Sequence, residues 1–151
     1  MKRPALDPAE LPVQDGSTYP DEFKPLVAGR RRRRLGDALG LTDFGVNLTE
    51  LAPGAQSALR HWHHREDEFI WVVDGELTLV TDAGPQILRA GQCAGFPKGV
   101  PDGHCLVNHS QAPAVYLEMG SRHPEEVAEY PDVDLRYRRP EGFTRKDGSK
   151  V

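Results

Sequence analysis

Apolar and polar positions alternate with a period of two along the middle of the chain. TDFGVNLTEL (42–51) places Phe44, Val46 and Leu48 on one face, the mark of a half-buried strand. Similar short runs follow: SALRHWH (57–63), DEFIWVV (67–73), ELTLVT (76–81), PQILRA (85–90), CAGFP (93–97), HCLVN (104–108) and AVYLEM (114–119). The breaks between them are turn chemistry, with Pro-Gly at 53–54, Asp-Gly at 74–75, Asp-Ala-Gly-Pro at 82–85 and Ala-Gly at 90–91. Asp74-Gly75 between two apolar runs predicts a hairpin. About eight strands at regular spacing predict an all-β sandwich or barrel.

The flanks lack this rhythm. Residues 1–22 hold four prolines and no periodicity, which predicts an extended arm. Five consecutive arginines, Arg30–Arg34, then read as a solvated or edge strand with some stems packed on apolar surface. An anion clamp and a nucleic-acid patch are the other readings, the second without support from another basic cluster. After Gly120 the chain is polar and proline-punctuated, giving an irregular tail with one short helix starting near His123-Pro124. The chain thus divides into an N-terminal arm and edge strand (1–41), a barrel (42–120) and a C-terminal extension (121–151).

Composition agrees with a turn-rich β domain. The 151 residues suit one domain with a real core, and 15 glycines and 13 prolines favour many short strands over long helices. A net charge of −4 points to neither nucleic acid nor an anionic membrane. No apolar stretch is long enough to span a bilayer, and MKRPALDPAE lacks the apolar core of a signal peptide, so the expected location is the cytoplasm. Cys93 and Cys105 are then expected as buried free thiols.

The chemistry concentrates in RHWHHREDEF (60–69). In a strand, His61 and His63 share a face with Leu59, while Arg60, Trp62 and His64 take the other. On the next strand Glu68 shares a face with Ile70 and Val72, and a tight connection could set it beside the histidine pair. Two imidazoles and a carboxylate suit a divalent transition metal, and His104 on a later strand is the natural fourth ligand. His64 is expected to point away, and Glu66 and Asp67 to be solvated. Phe44, Val46, Leu59, Ile70, Val72, Phe96, Leu106, Leu117 and Met119 read as core or pocket wall. Trp62 and Trp71 face away from the site, and Tyr116 and Glu118 read as surface or interface.

These residues resemble the two motifs of the cupin superfamily. The first motif is matched by Gly54, His61, His63, Glu68 and Gly75, with four residues between His63 and Glu68 and six between Glu68 and Gly75. The second is matched by Gly91, Pro97, Gly99, His104 and Asn108. Two spacers, Gly54 to His61 and Gly99 to His104, are longer than usual, and both fall in expected loops, which tolerate insertion.

The resemblance implies a double-stranded β-helix, the cupin jelly-roll barrel. It implies one divalent transition metal per chain (Fe, Mn, Zn or Ni, with copper also possible) held by His61, His63, Glu68 and His104. The implied activity is that of a small metalloenzyme on a small carboxylate or polyol, of the oxygenase or isomerase type. A sensor binding a small ligand through the same metal is the alternative. The resemblance also implies a homodimer. Catalytic residues beyond the metal ligands have no sequence signature here.

Overall fold

The structure, a computed structural model, describes residues 4–151; the first three residues of the expected arm lie outside the described residues. Thirteen strands and one short α-helix follow in chain order: β1 (Gln14–Asp15), β2 (Arg30–Arg34), α1 (Leu35–Leu39), β3 (Phe44–Leu51), β4 (Trp62–His63), β5 (Glu68–Asp74), β6 (Glu76–Thr81), β7 (Gly84–Arg89), β8 (Cys93–Phe96), β9 (Cys105–Val107), β10 (Ala114–Ser121), β11 (Val127–Tyr130), β12 (Leu135–Arg138) and β13 (Gly142–Thr144). All pairings are antiparallel. One sheet runs β1-β2-β3-β10-β5-β8, a second β13-β12-β11-β4, and a third β7-β6-β9. No helix among the described residues is long and apolar enough to cross a membrane.

Most alternating runs of the sequence become strands close to their expected bounds, but SALRHWH (57–63) yields only β4 at Trp62–His63 with an isolated bridge at His61, and two further local readings fail. Asp74-Gly75 does not close a hairpin, because β5 pairs with β10 and β8 while β6 pairs with β7 and β9. The chain instead turns a corner there from one sheet into another. Gly75 sits at φ 81°, and a Cβ on it would come within 3.1 Å of Ala114 and of the Pro113 carbonyl. Close backbone approach, rather than a two-residue turn, accounts for this glycine. The hairpin lies one connection later, between β6 and β7, where Thr81 faces Gly84.

The second difference is the C-terminal segment. In place of an irregular tail with a short helix, residues 127–144 supply three strands that join β4, and no helix forms at His123–Glu126. Alternation explains it: Ala128 and Tyr130 on β11 are buried, as is Leu135 on β12. They pack with Tyr19, Phe23 and Val27 of the N-terminal arm and with Leu59 in one apolar cluster. Arm and C-terminal segment therefore bury each other's apolar side chains, and the arm is neither free nor extended throughout, since Pro8–Glu10 and Lys24–Val27 are 3-10 turns.

The larger core closes one end of the barrel. Leu51, Val72, Leu77 and Ala114 are completely buried there, with Leu79, Leu88 and Leu106 nearly so. Each large side chain so buried contributes roughly 1.5–3 kcal/mol. Towards the other end the inward positions turn polar, and the barrel encloses a cavity of about 410 Å³.

Candidate metal centre

His61 and His104 reach the cavity through a local antiparallel pairing. His61 N–H donates to the His104 carbonyl at 3.1 Å and His104 N–H to the His61 carbonyl at 2.9 Å. Facing residues of such a pair present their side chains on one side, and the two rings lie 4.8 Å apart. His63, two residues along from His61, projects to the same side, with ring centroids 4.9 Å apart. Glu68 enters from β5.

One Glu68 oxygen sits among all three rings. Oε2 is 2.6 Å from His104 Nε2, 3.2 Å from His63 Nε2 and 3.6 Å from His61 Nε2. The ligand atoms of His61, Glu68 and His104 all lie within 4.8 Å of one another, a group that could hold a metal ion.

The surroundings prepare these nitrogens for such a role. His61 Nδ1 lies 2.7 Å from the Leu59 carbonyl, which can only accept, so Nδ1 carries the proton. His63 Nδ1 faces Glu126 Oε1 at 3.1 Å, and its buried Nε2 has no hydrogen-bond partner among the described residues. In both rings Nε2 is thereby turned to the cavity, as a metal ligand requires. His104 is oriented differently, by flat stacking on Phe96 at 3.6 Å and 3°. Three imidazoles and a carboxylate around an open cavity fit a divalent transition ion.

Burial pushes the Glu68 carboxyl up, but His104, His61 and His63 outweigh it and hold the group well below the usual carboxylate range. For His63 burial favours the neutral ring, yet the carboxylates of Glu126 and Glu68 raise it to about 10. Burial lowers His104.

The sequence reading of the neighbours holds in part. His64 does point away, its Nε2 3.3 Å from Glu129, and Asp67 is exposed. Glu66, expected to be solvated, is buried: it accepts from His123 N at 2.7 Å and from Arg139 at 2.8 Å. Cys93, expected to be buried, is exposed, whereas Cys105 is buried.

The largest correction concerns which face of β3 and β10 lines the barrel. Leu117 pairs with Trp71 and Leu48, and Trp71 is exposed, so that row faces outwards. Thr49 and Leu51 on β3, together with Ala114 and Tyr116 on β10, are the buried inward set. Asn47 and Glu118, next along the same faces, line the cavity, as do Arg30 and Arg32 from the arginine run. Tyr116 and Glu118 are thus interior, not surface.

Glu126, the group that orients His63, was also missed. It also accepts from the backbone N–H groups of His64 at 3.2 Å and Arg65 at 3.0 Å. It lies 63 residues from His63, just before β11, and nothing near it in the sequence marks it as that ring's partner.

The cupin domain family matches residues 47–120. No curated protein matches the chain. Among solved structures, a sugar phosphate isomerase of the cupin superfamily from Silicibacter pomeroyi is 47% identical, with 98% of this chain and 96% of that one covered at a TM-score of 0.94. A protein of Acidithiobacillus ferrooxidans, provisionally named a sugar phosphate isomerase, is 30% identical over 85% of this chain and 83% of that one, with a TM-score of 0.76. A polyketide cyclase from Streptomyces resistomycificus is 18% identical, covers 83% of each chain at a TM-score of 0.63, and shares the fold alone. With this identity over nearly the whole of a cupin, and with the jelly-roll architecture described above, the chain belongs to the cupin superfamily.

Proposed function

We propose that the protein is a metal-dependent isomerase of a sugar phosphate. The observation that carries this reading is the 47% identity, over nearly the full length of both chains, to the Silicibacter pomeroyi sugar phosphate isomerase. It narrows the broader oxygenase-or-isomerase expectation of the sequence.

His61, His63, Glu68 and His104 would hold one divalent ion, which when bound would act as a Lewis acid towards a substrate carbonyl or hydroxyl oxygen. The chain's own residues supply the rest of the site. Four arginines, Arg30, Arg32, Arg122 and Arg139, line the cavity against three carboxylates, Glu66, Glu68 and Glu118. That balance, made more positive by a cation, attracts a phosphorylated substrate. About 410 Å³ lies within the usual range for small-molecule sites. Tyr130 lies beside the His61 ring with Tyr19 packed against it, on the side of the second apolar cluster, and burial pushes both phenols above their ordinary range, so they stay protonated donors. The same reading includes a homodimer packed through the outer face of the six-stranded sheet, where Phe69, Trp71 and Val73 are exposed.

The test joins elemental analysis of protein purified without added metal to proton NMR of a panel of pentose and hexose phosphates. The expected result is close to one transition ion per chain and conversion of one sugar phosphate into its isomer, abolished by chelation and restored by metal. Tight binding with the sugar recovered unchanged would favour a ligand sensor. Neither binding nor turnover would end the isomerase reading.

A further inference from the structure

An isomerase that shifts a proton between adjacent carbons needs a base, and Glu68 is surrounded by three histidines. Of the other acids near the site, Glu126 is fully buried and accepts from His63 and from two backbone N–H groups. Glu66 is held by Arg139 and the His123 N–H. Glu118 differs from both.

Glu118 lies on β10 two residues before Gly120, and Gly120 pairs with Glu68 on β5. Residues two apart on a strand share a face and are separated by roughly 7 Å. Glu118 and Glu68 therefore project into the same cavity from neighbouring strands, with Gly120 adding no side chain between them.

The Glu118 carboxylate is also held asymmetrically. Oε1 takes Asn47 Nδ2 at 3.0 Å and Thr49 Oγ1 at 3.3 Å, and Arg32 Nε lies 3.3 Å away. Among the described residues Oε2 has a single long contact, from the Tyr116 hydroxyl at 3.4 Å. One oxygen is anchored, and the other keeps spare acceptor capacity on a side chain that lines the cavity. Arg32, Asn47 and Thr49 all come from the inward face of β2 and β3, so the carboxylate rests on a rigid sheet.

We infer that Glu118 is the proton-transfer residue of the isomerisation, with Arg32, Asn47 and Thr49 as the groups that position it. This rests on the isomerase reading. Glu118 Oε2 takes the proton from the carbon next to the carbonyl as that C–H bond breaks. The electron pair moves through an enediol, and Glu118 delivers that proton, or a solvent proton exchanged for it during the enediol's lifetime, to the former carbonyl carbon. The hydroxyl proton of the first carbon ends on the former carbonyl oxygen. Nothing is oxidised or reduced overall, and no co-reactant enters.

The experiment compares wild type, Glu118→Gln and Glu118→Asp, all metal-loaded, for kcat, KM, metal content, Tm and deuterium uptake into the sugar from heavy water. Glu118→Gln keeps an oxygen for the Oε1 contacts and removes the base. The expected result is a kcat about a hundredfold lower or more, lost deuterium uptake, and KM, metal content and Tm near wild type. Glu118→Asp withdraws the carboxylate from the substrate and is expected to lose about tenfold or more in kcat with Tm unchanged.

Three outcomes overturn the proposal. With an active wild type, Glu118→Gln at a rate within about threefold of it removes Glu118 from the chemistry and leaves the isomerase reading standing. Should Glu118→Gln fail to fold or lose its metal, Glu118→Ala, which also lacks the carboxylate, decides, and a rate within about threefold of wild type there has the same meaning. A wild type that converts no sugar phosphate removes the isomerase reading and Glu118's role together.

Discussion

The two faces of the six-stranded sheet are built from the same strands and differ in every respect that matters for function. On the inner face β2, β3, β5 and β10 present Arg30 and Arg32, Asn47 and Thr49, Glu68, and Tyr116 and Glu118. On the outer face the same strands align Leu48, Leu117 and Trp71 in one cross-strand row, and Val46, Met119 and Phe69 in the next. The polar side is the enclosed one and the apolar side the exposed one, with Trp71 and Val73 nearly half accessible. A sheet covering a packed core has the opposite arrangement. Here the core fills only one end of the barrel, and the rest of the inner face lines a cavity, where polar groups can meet one another or a ligand. The outer face keeps the character of a surface made to be covered.

The comparison breaks most sharply at the histidines. Replacing His61, His63 or His104 by alanine removes a donor from the site, and metal affinity is expected to fall by about a hundredfold or more, read by elemental analysis after dialysis. Glu126→Gln keeps all four proposed ligands, removes the carboxylate opposite His63 Nδ1 and replaces one of the two oxygens that accept from the His64 and Arg65 N–H groups, with an expected loss of about 10–100-fold. His64→Ala, whose ring lies tilted against Trp62 and faces Glu129 outside the cavity, is expected to bind metal like wild type. Equal losses from His63→Ala and His64→Ala would mean that the strand register is shifted by one residue.

The contrast also shows what could be read from the sequence. His61 and His63 are two residues apart, so alternation brings them to one side, a tight connection to the next strand sets Glu68 beside them, and His104 follows from the second motif. The inner wall is different. Alternation identifies the apolar side of β3 and β10 correctly and then assigns it to the interior, because the rule assumes that an interior is apolar. In a hollow barrel the assumption reverses, so Glu118 and Tyr116 read as surface or interface, and Phe44, Val46 and Leu117 read as core or pocket wall. Glu126 stayed hidden for another reason. Its contact with His63 spans 63 residues of sequence, and its backbone partners at His64 and Arg65 are equally remote.

If a second copy covers the outer face, Trp71 is its largest exposed side chain. Trp71→Glu would place a carboxylate at the centre of the row. The dimer dissociation constant is expected to rise about thirtyfold or more, the effect of losing one aromatic anchor, as measured by sedimentation velocity. Metal content should not change, since Trp71 points away from the cavity. A wild type that sediments as a monomer at micromolar concentration would remove the dimer from the reading.

The two cysteines sharpen the same comparison with a smaller effect. Cys93 pairs with Trp71 across β8 and β5, so it belongs to the outer row and is exposed in the single chain. Cys105 is buried beside His104, and burial pushes its thiol up to about 11. At pH 8 Cys105 is then almost wholly protonated, and only the thiolate attacks a thiol reagent. It should stay silent in the folded protein and react once the chain is denatured or the pH approaches its own value. Cys93 should react in the native protein, and its rate should depend on what covers its row. In a wild-type dimer joined through this face the reaction is expected to be about tenfold slower than in the Trp71→Glu chain, in keeping with access as a control on thiol reactivity. Equal Cys93 rates in the two proteins, with wild type dimeric, would place the dimer contact elsewhere on the barrel. A fast second thiol in the native state would mean that the interior opens at Cys105, next to His104.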